Sequence, residues 1–256
     1  MTLNLSCRYY RVYTDPAVPC VESNFRHVER NLPVPVEQAA LVLVDIWSTH
    51  YIDSWLERAS HVTQTQIVPV LEAARNIGML VVHAPSPAVS KKYGAAAAAA
   101  SPCAERGWPP DSFRGIYRGG EYAAFGRDQE PRLREVYARY ETELDIAEPA
   151  RPLSGEPVIA TGDDLQALLE QRRILHLLYA GFATNWCVMF RDYGILAMDR
   201  AGYNIILVRD ATTGVEFHDT VADLTATRIA IREIETKHGW STTTSSFVEA
   251  CEALSG

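Results

Sequence analysis

Apolar positions along the chain fall into short unbroken runs separated by longer segments with helical spacing. Residues 39–46 (AALVLVDI), 79–84 (MLVVHA), 173–182 (RILHLLYAGF) and 203–211 (YNIILVRDA) are such runs. Their length and their Val, Leu and Ile content predict strands buried on both faces, as in a parallel sheet. Between the first two, QTQIVPVLEAARNIG (64–78) carries apolar residues at helical spacing and ends on Gly78, a C-cap residue. The order is that of a βαβ unit. Helical spacing marks 131–144, 163–173 with Asp163 and Asp164 at its start, 185–202 and 218–239. GEPVIATG (155–162) reads as a further short strand, and 241–254 as an edge strand followed by a last helix. The alternation predicts an α/β fold, a three-layer α/β/α sandwich around a mostly parallel central sheet.

Two stretches lack this rhythm. Residues 1–37 are aromatic, with Pro16, Pro19, Pro33 and Pro35 breaking any periodicity. They read as an N-terminal arm, extended on the surface or across a subunit interface, ahead of one domain over 38–256. Residues 84–130 hold the alanine run 95–100, Trp108-Pro109-Pro110 and Gly119-Gly120. A loop of this length inside a domain is usually functional, and its Trp108, Phe113, Tyr117, Tyr122 and Phe125 predict a lid or an interface flap.

Composition narrows the partners. The formal net charge of −8, without a basic run, argues against nucleic acid and anionic membranes. Five cysteines (Cys7, Cys20, Cys103, Cys187, Cys251) show no C-x-x-C pair, which argues against a disulfide framework or a zinc cluster. No window reaches the roughly eighteen apolar residues of a membrane span, and the first twenty residues contain no apolar stretch long enough for a secretory signal. The expectation is a soluble, cytoplasmic protein. Only three lysines are present: Lys91, Lys92 and Lys237.

In open α/β sheets, ligands sit beyond the carboxyl ends of the strands. Asp45 closes the first buried run, Gly181 to Cys187 joins a strand to a helix, and Asp210 closes a later strand. Thr184 or Asn185 is placed to N-cap that helix, with Cys187 in its first turn. There the helix N–H groups would lower the thiol pKa and serve an oxyanion. Asp45 is placed to take the thiol proton.

The segment AGFATNWCVMFRDYGILAMDRAGYNIILVRDATTG resembles the signature of isochorismatase-like cysteine hydrolases, which include nicotinamidases and N-carbamoylsarcosine amidohydrolases. A G-x-x-T-[DN]-x-C-V block, a helix ending in A-x-x-x-G-[YF] and a strand closing on D-A appear in order. LVLVDIW resembles the family strand that ends in its catalytic Asp, and VLEAARNIGMLVVHA its next helix and strand. The resemblance covers roughly residues 38–83 and 150–235. It implies Cys187 as nucleophile, Asp45 as general base, and a non-proline cis peptide at Phe182–Ala183 that aims the Ala183 N–H at the oxyanion. It also implies a lysine after the middle strand, where PVIATGDDL places Thr161 or a neighbour instead. Either a cation comes from elsewhere (Lys91, Lys92 or Arg151), or the chemistry is altered or lost.

Trp47, His50, Phe182 and Trp186 are the candidate substrate-binding residues. His50 with His83 resembles part of the nicotinamidase metal site, but the D-x-H element is absent from HAPSPAV, so no metal and no organic cofactor are expected. Asp210, Glu216 and His218 read as structural. The resemblance implies hydrolysis of a carbon–nitrogen bond in a small amide, imide or carbamoyl compound through a thioester, by a homodimer or homotetramer. The alternative is a catalytically silent small-molecule binding protein on the same scaffold.

Overall fold

A computed structural model describes residues 1–95 and 108–255. Seven strands form one sheet: β1 (Thr2–Arg11), β2 (Arg26–Pro35), β3 (Ala39–Val44), β4 (Leu80–Ala84), β5 (His176–Phe182), β6 (Asn204–Thr213) and β7 (Gly239–Thr242). Their order is β2-β1-β7-β6-β5-β3-β4. The five from β3 to β7 pair in parallel, and β1 joins them antiparallel to β7. The helices are α1 (Asp53–Val62), α2 (Val68–Asn76), α3 (Pro87–Ser90), α4 (Leu133–Glu143), α5 (Gly162–Arg172), α6 (Ile195–Arg200), α7 (Thr225–Lys237) and α8 (Thr244–Ser255). Every residue of β3 is buried, and two apolar clusters lie against the sheet. One holds α1, α2 and α8 residues, the other α5, α6 and α7 residues. This is the three-layer arrangement expected from the uninterrupted apolar runs.

Residues 1–37 depart from the free arm read in the sequence. They make a hairpin of two ten-residue strands, β1 with β2, that extends the sheet. Leu3, Leu5 and Cys7 alternate inward and are fully buried, a period-two pattern that the prolines and tyrosines masked. Glu235 of α7, almost fully buried, ties the hairpin down: it accepts from Arg8 Nε at 2.7 Å, Ser241 Oγ at 2.7 Å, and pairs with His27 Nε2 at 2.9 Å. The hairpin in turn makes β7 an interior strand instead of the expected edge.

Two helical readings and one strand reading are adjusted. An unpredicted α1 precedes α2, joined to it by a five-residue wide turn at Thr63–Ile67. The segment read as one helix over 185–202 is a wide turn at Thr184–Val188, a break, and then α6. The strand expected at 155–162 shrinks to a single bridge between Val158 and His83. Residues 108–130 run through short 3-10 turns in which Arg118 lies 4.4 Å over the Phe113 ring. The alanine run from residue 96 onward, and Cys103, lie outside the described residues. Among the described residues, no helix is long and apolar enough to cross a membrane.

Candidate active site

Asp45 follows β3, and the Gly181-to-Cys187 segment follows its parallel neighbour β5, so the sheet brings both to one edge. The two strands approach closely there. Gly181 has φ +116° and pairs with Val44, and a Cβ on it would stand 2.0 Å from the Val44 carbonyl oxygen. Only glycine allows this contact. The β5–β6 register shifts between Tyr179 and Gly181, an irregularity typical of strands next to functional sites. The Phe182–Ala183 peptide is cis.

Asp45 itself has φ +44°, a backbone region that Asp tolerates better than most side chains. Its carboxylate is fully buried. Oδ1 accepts from Trp47 Nε1 at 2.9 Å, and Oδ2 pairs with Arg191 Nη2 at 3.4 Å. Cys187 and the Ser86 backbone are its further polar neighbours. Burial raises the Asp45 pKa, and it outweighs the opposing Arg191 charge and these hydrogen bonds. The Cys187 thiol is pushed up to about 12 by burial and by the Asp45 carboxylate, against the pull of Arg191.

This direction corrects the expectation of a lowered thiol pKa. The turn carrying Cys187 is short and wide. Ala183 O accepts from Trp186 N at 3.0 Å and from Val188 N at 3.2 Å, and no side chain caps it. With no long helix behind it, the dipole is small. Thr184 and Asn185, read as N-caps, are used elsewhere. Thr184 Oγ1 bonds Thr212 Oγ1 at 2.7 Å, and the Asn185 amide exchanges two hydrogen bonds of 2.9 Å with the Val215 backbone. Both hold the Cys187 segment against β6 and the loop beyond it.

Thr161, which stands where a lysine was expected, is the N-cap of α5. It forms a reciprocal capping box with Asp164. Lys92 Nζ donates to the Leu144 carbonyl at 2.6 Å, and Arg151 pairs with Asp145 at 3.4 Å. The cation on Asp45 is instead Arg191, a residue not singled out in the sequence. It lies four positions after Cys187 and donates its N–H to the Cys187 carbonyl at 3.1 Å. That i, i+4 spacing was the available signal, hidden because the expected cation was sought after the middle strand.

The four candidate substrate-binding residues occupy different environments. Trp47, bonded to Asp45, stacks on His50 with centroids 5.4 Å apart. His50 is buried, and its Nδ1 accepts from Ile52 N at 3.1 Å. Burial lowers its pKa to about 4, so at neutral pH it is uncharged, with the proton on Nε2. Phe182 is fully buried, edge-on to Trp55. Trp186 is partly exposed. His83, also buried, points to Glu156 at 2.8 Å. Among the described residues, no three His, Cys, Asp or Glu side chains converge to hold a metal. Asp210 Oδ1 accepts from Thr244 N and Oγ1 at the start of α8, and Glu216 accepts from Ala226 and Thr227 at the start of α7. His218 is exposed.

The fold and the placement of these groups can be set beside known proteins. Among solved structures, a cysteine hydrolase from Pseudomonas syringae pv. phaseolicola superposes with a TM-score of 0.55 at 19% identity, over 87% of this chain and 96% of that one. An isochorismatase family protein from Burkholderia thailandensis gives 0.52 at 15% identity, over 84% and 96%. An isochorismatase from Pseudomonas putida gives 0.51 at 16% identity, over 85% and 93%. No curated protein sequence matches the chain. The family model described as the isochorismatase domain matches residues 39–244, from the first residue of β3 to the first of α8. With that match spanning both strand ends of the site, the chain belongs to the isochorismatase family.

Proposed function

We propose that this chain is a cysteine-dependent hydrolase that cleaves a carbon–nitrogen bond in a small amide, imide or carbamoyl compound. The observation that carries the reading is that Cys187 and the fully buried Asp45 meet at adjacent strand ends, close enough for the carboxylate to push the thiol pKa up. A thiol with a pKa near 12 is a poor nucleophile until a base removes its proton. A carboxylate with a raised pKa is the better base for that task.

The sequence of events uses side chains, backbone N–H groups and water. Asp45 accepts the Cys187 proton, and the thiolate attacks the substrate carbonyl carbon. The backbone N–H groups of Ala183 and Cys187 hold the resulting oxyanion. Asp45 returns the proton to the departing nitrogen, which leaves as ammonia or an amine. Asp45 then takes a proton from water, whose oxygen attacks the thioester and releases the acid and the free thiol. Trp47 Nε1, bonded to Oδ1, restrains the carboxylate and leaves Oδ2 on the side of Arg191. Trp47, His50 and Trp186 are the proposed contacts for a planar substrate.

A panel of small amides, imides and carbamoyl compounds tests the reading with wild type, Cys187→Ala and Asp45→Asn. Turnover by wild type, lost in both variants, is the expected result. Equal rates for wild type and Cys187→Ala would remove the nucleophile. Binding of panel members without any turnover would support the silent binding protein.

A further inference from the structure

We propose that Arg191 is the third catalytic residue of the site, a permanent cation delivered from the same turn as the nucleophile. The inference rests on the reading of Cys187 as the nucleophile and deepens it. The guanidinium acts on both reacting groups: Nη2 stands 3.4 Å from Asp45 Oδ2, and its charge favours the Cys187 thiolate. One-third of the Arg191 side chain is exposed, whereas Asp45 is fully enclosed, so the pair lies where the buried site meets solvent.

Three contacts from three elements fix the stretch that carries it. Asp192 Oδ2 accepts the Gly162 N–H at 2.7 Å, at the start of α5. A Cβ on Gly162 would meet the Asp192 carbonyl oxygen at 2.3 Å, so helix and turn are in direct backbone contact. Tyr193 Oη donates to the Pro85 carbonyl at 3.0 Å, and Tyr179 Oη donates to the Tyr193 carbonyl at 2.9 Å. A surface arginine engaged only in solvent pairing needs no such framework. Arg191 Nε is also buried and finds no partner within the protein, so the guanidinium is not spent on structural bonds.

The role follows from charge. When the Cys187 proton moves to Asp45, negative charge moves from oxygen to sulfur, and Arg191 is within reach of both atoms. A guanidinium neither gains nor loses a proton in this step. It stabilises the carboxylate before transfer and the thiolate after it, so the pair keeps one negative charge at neutral pH. An opposite charge at this range typically moves a pKa by 1–3 units.

The test reads the thiol directly and needs no substrate. Alkylation of Cys187 by iodoacetamide is followed by peptide mass spectrometry across pH for wild type, Arg191→Met, Arg191→Gln and Arg191→Lys. Exposed Cys20 serves as the internal reference. Removing the charge should slow Cys187 about tenfold or more at a fixed pH on the rising limb, leave Cys20 unchanged, and displace the profile to higher pH. Arg191→Lys should restore most of the rate. Cys187 profiles that coincide in wild type and Arg191→Met overturn the proposal. If the Met variant does not fold, coincident profiles for the Gln and Lys variants overturn it equally, since both retain a polar head for Asp45. Full amide turnover by Cys187→Ala would overturn the hydrolase reading instead, so the two failures are distinguishable.

Discussion

Replacing Gly181 with alanine should cost far more than the loss of one glycine, because two separate penalties meet there. At φ +116° an L side chain is strained, by about 1–3 kcal/mol for a sparsely populated backbone region. The new Cβ would also fall 2.0 Å from the Val44 carbonyl oxygen, with the Val44 nitrogen at 2.8 Å. Both are backbone atoms of a central strand, so relief requires the strands to part, at an overpacking cost of about 1–3 kcal/mol. Gly202→Ala is the matched control: its φ is +97°, but nothing lies within 4 Å of its Cβ position. It carries the conformational penalty alone, about 1–2 kcal/mol. For a chain of this size each kcal/mol lowers Tm by about 2–4 °C. Calorimetry should therefore find Gly181→Ala lower by about 4–24 °C and Gly202→Ala by about 2–8 °C, with Gly181→Ala the lower of the two. Val44 immediately precedes Asp45, so the surviving Gly181→Ala protein should also turn over amides more slowly while Gly202→Ala does not. Equal melting shifts for the two variants would refute the argument that close strand contact sets the site.

Other elements offer independent checks. Glu156 has its pKa lowered to about 2, because Arg75, the Leu153 N–H and His83 together outweigh its burial. Its contribution to stability is complete above the ordinary value of about 4.5 and is lost as pH falls from there toward about 2. Discounted for solvent screening, Glu156→Gln should cost about 1–2 kcal/mol at pH 6 and almost nothing at pH 2; a penalty unchanged across that range would contradict the linkage. Glu235→Ala leaves Arg8 and His27 without their buried partner and should destabilise by about 3–5 kcal/mol. Hydrogen exchange should then rise first in residues 2–11 and 26–35, and unchanged exchange there would show that the hairpin is held by other contacts. Thr161→Ala should cost about 1 kcal/mol as a lost helix cap and leave the turnover rate alone. A large rate loss at unchanged Tm would give Thr161 a part in catalysis.

The strand ends bearing Asp45 and Cys187 were legible in the sequence because buried parallel strands write continuous apolar runs. Resemblance to a family then pointed to Asp45 and Cys187, which follow the adjacent strands β3 and β5. The hairpin was not legible: in β1 only the inward positions Leu3, Leu5 and Cys7 are aliphatic or thiol, polar and aromatic residues fill the rest, and Pro33 and Pro35 interrupt β2. The wide turn at Cys187 was hidden for a different reason. Residues 185–202 keep helical spacing, yet Gly194 and the contacts of Asp192 and Tyr193 break the helix between 191 and 194. Tertiary bonds override local periodicity there. Arg191 is less legible: its i, i+4 spacing places it near Cys187, but its pairing with Asp45 spans 146 positions in the chain.

The hairpin has a consequence for how copies of this chain can meet. Its outer strand, β2, is one border of the sheet, and it carries Pro33 and Pro35 at alternate positions, with Arg26, Glu29 and Arg30 exposed along it. Two prolines two residues apart remove two N–H donors from the same side of the strand. At the other border, β4 is already covered: His83 N donates to the Pro157 carbonyl, and the His83 carbonyl accepts from Ile159 N, both at 2.9 Å. The two prolines and the exposed charges interrupt the row of donors and acceptors at one margin, and the bonds to Pro157 and Ile159 cap His83 at the other, so both margins are poor templates for a strand from a second molecule.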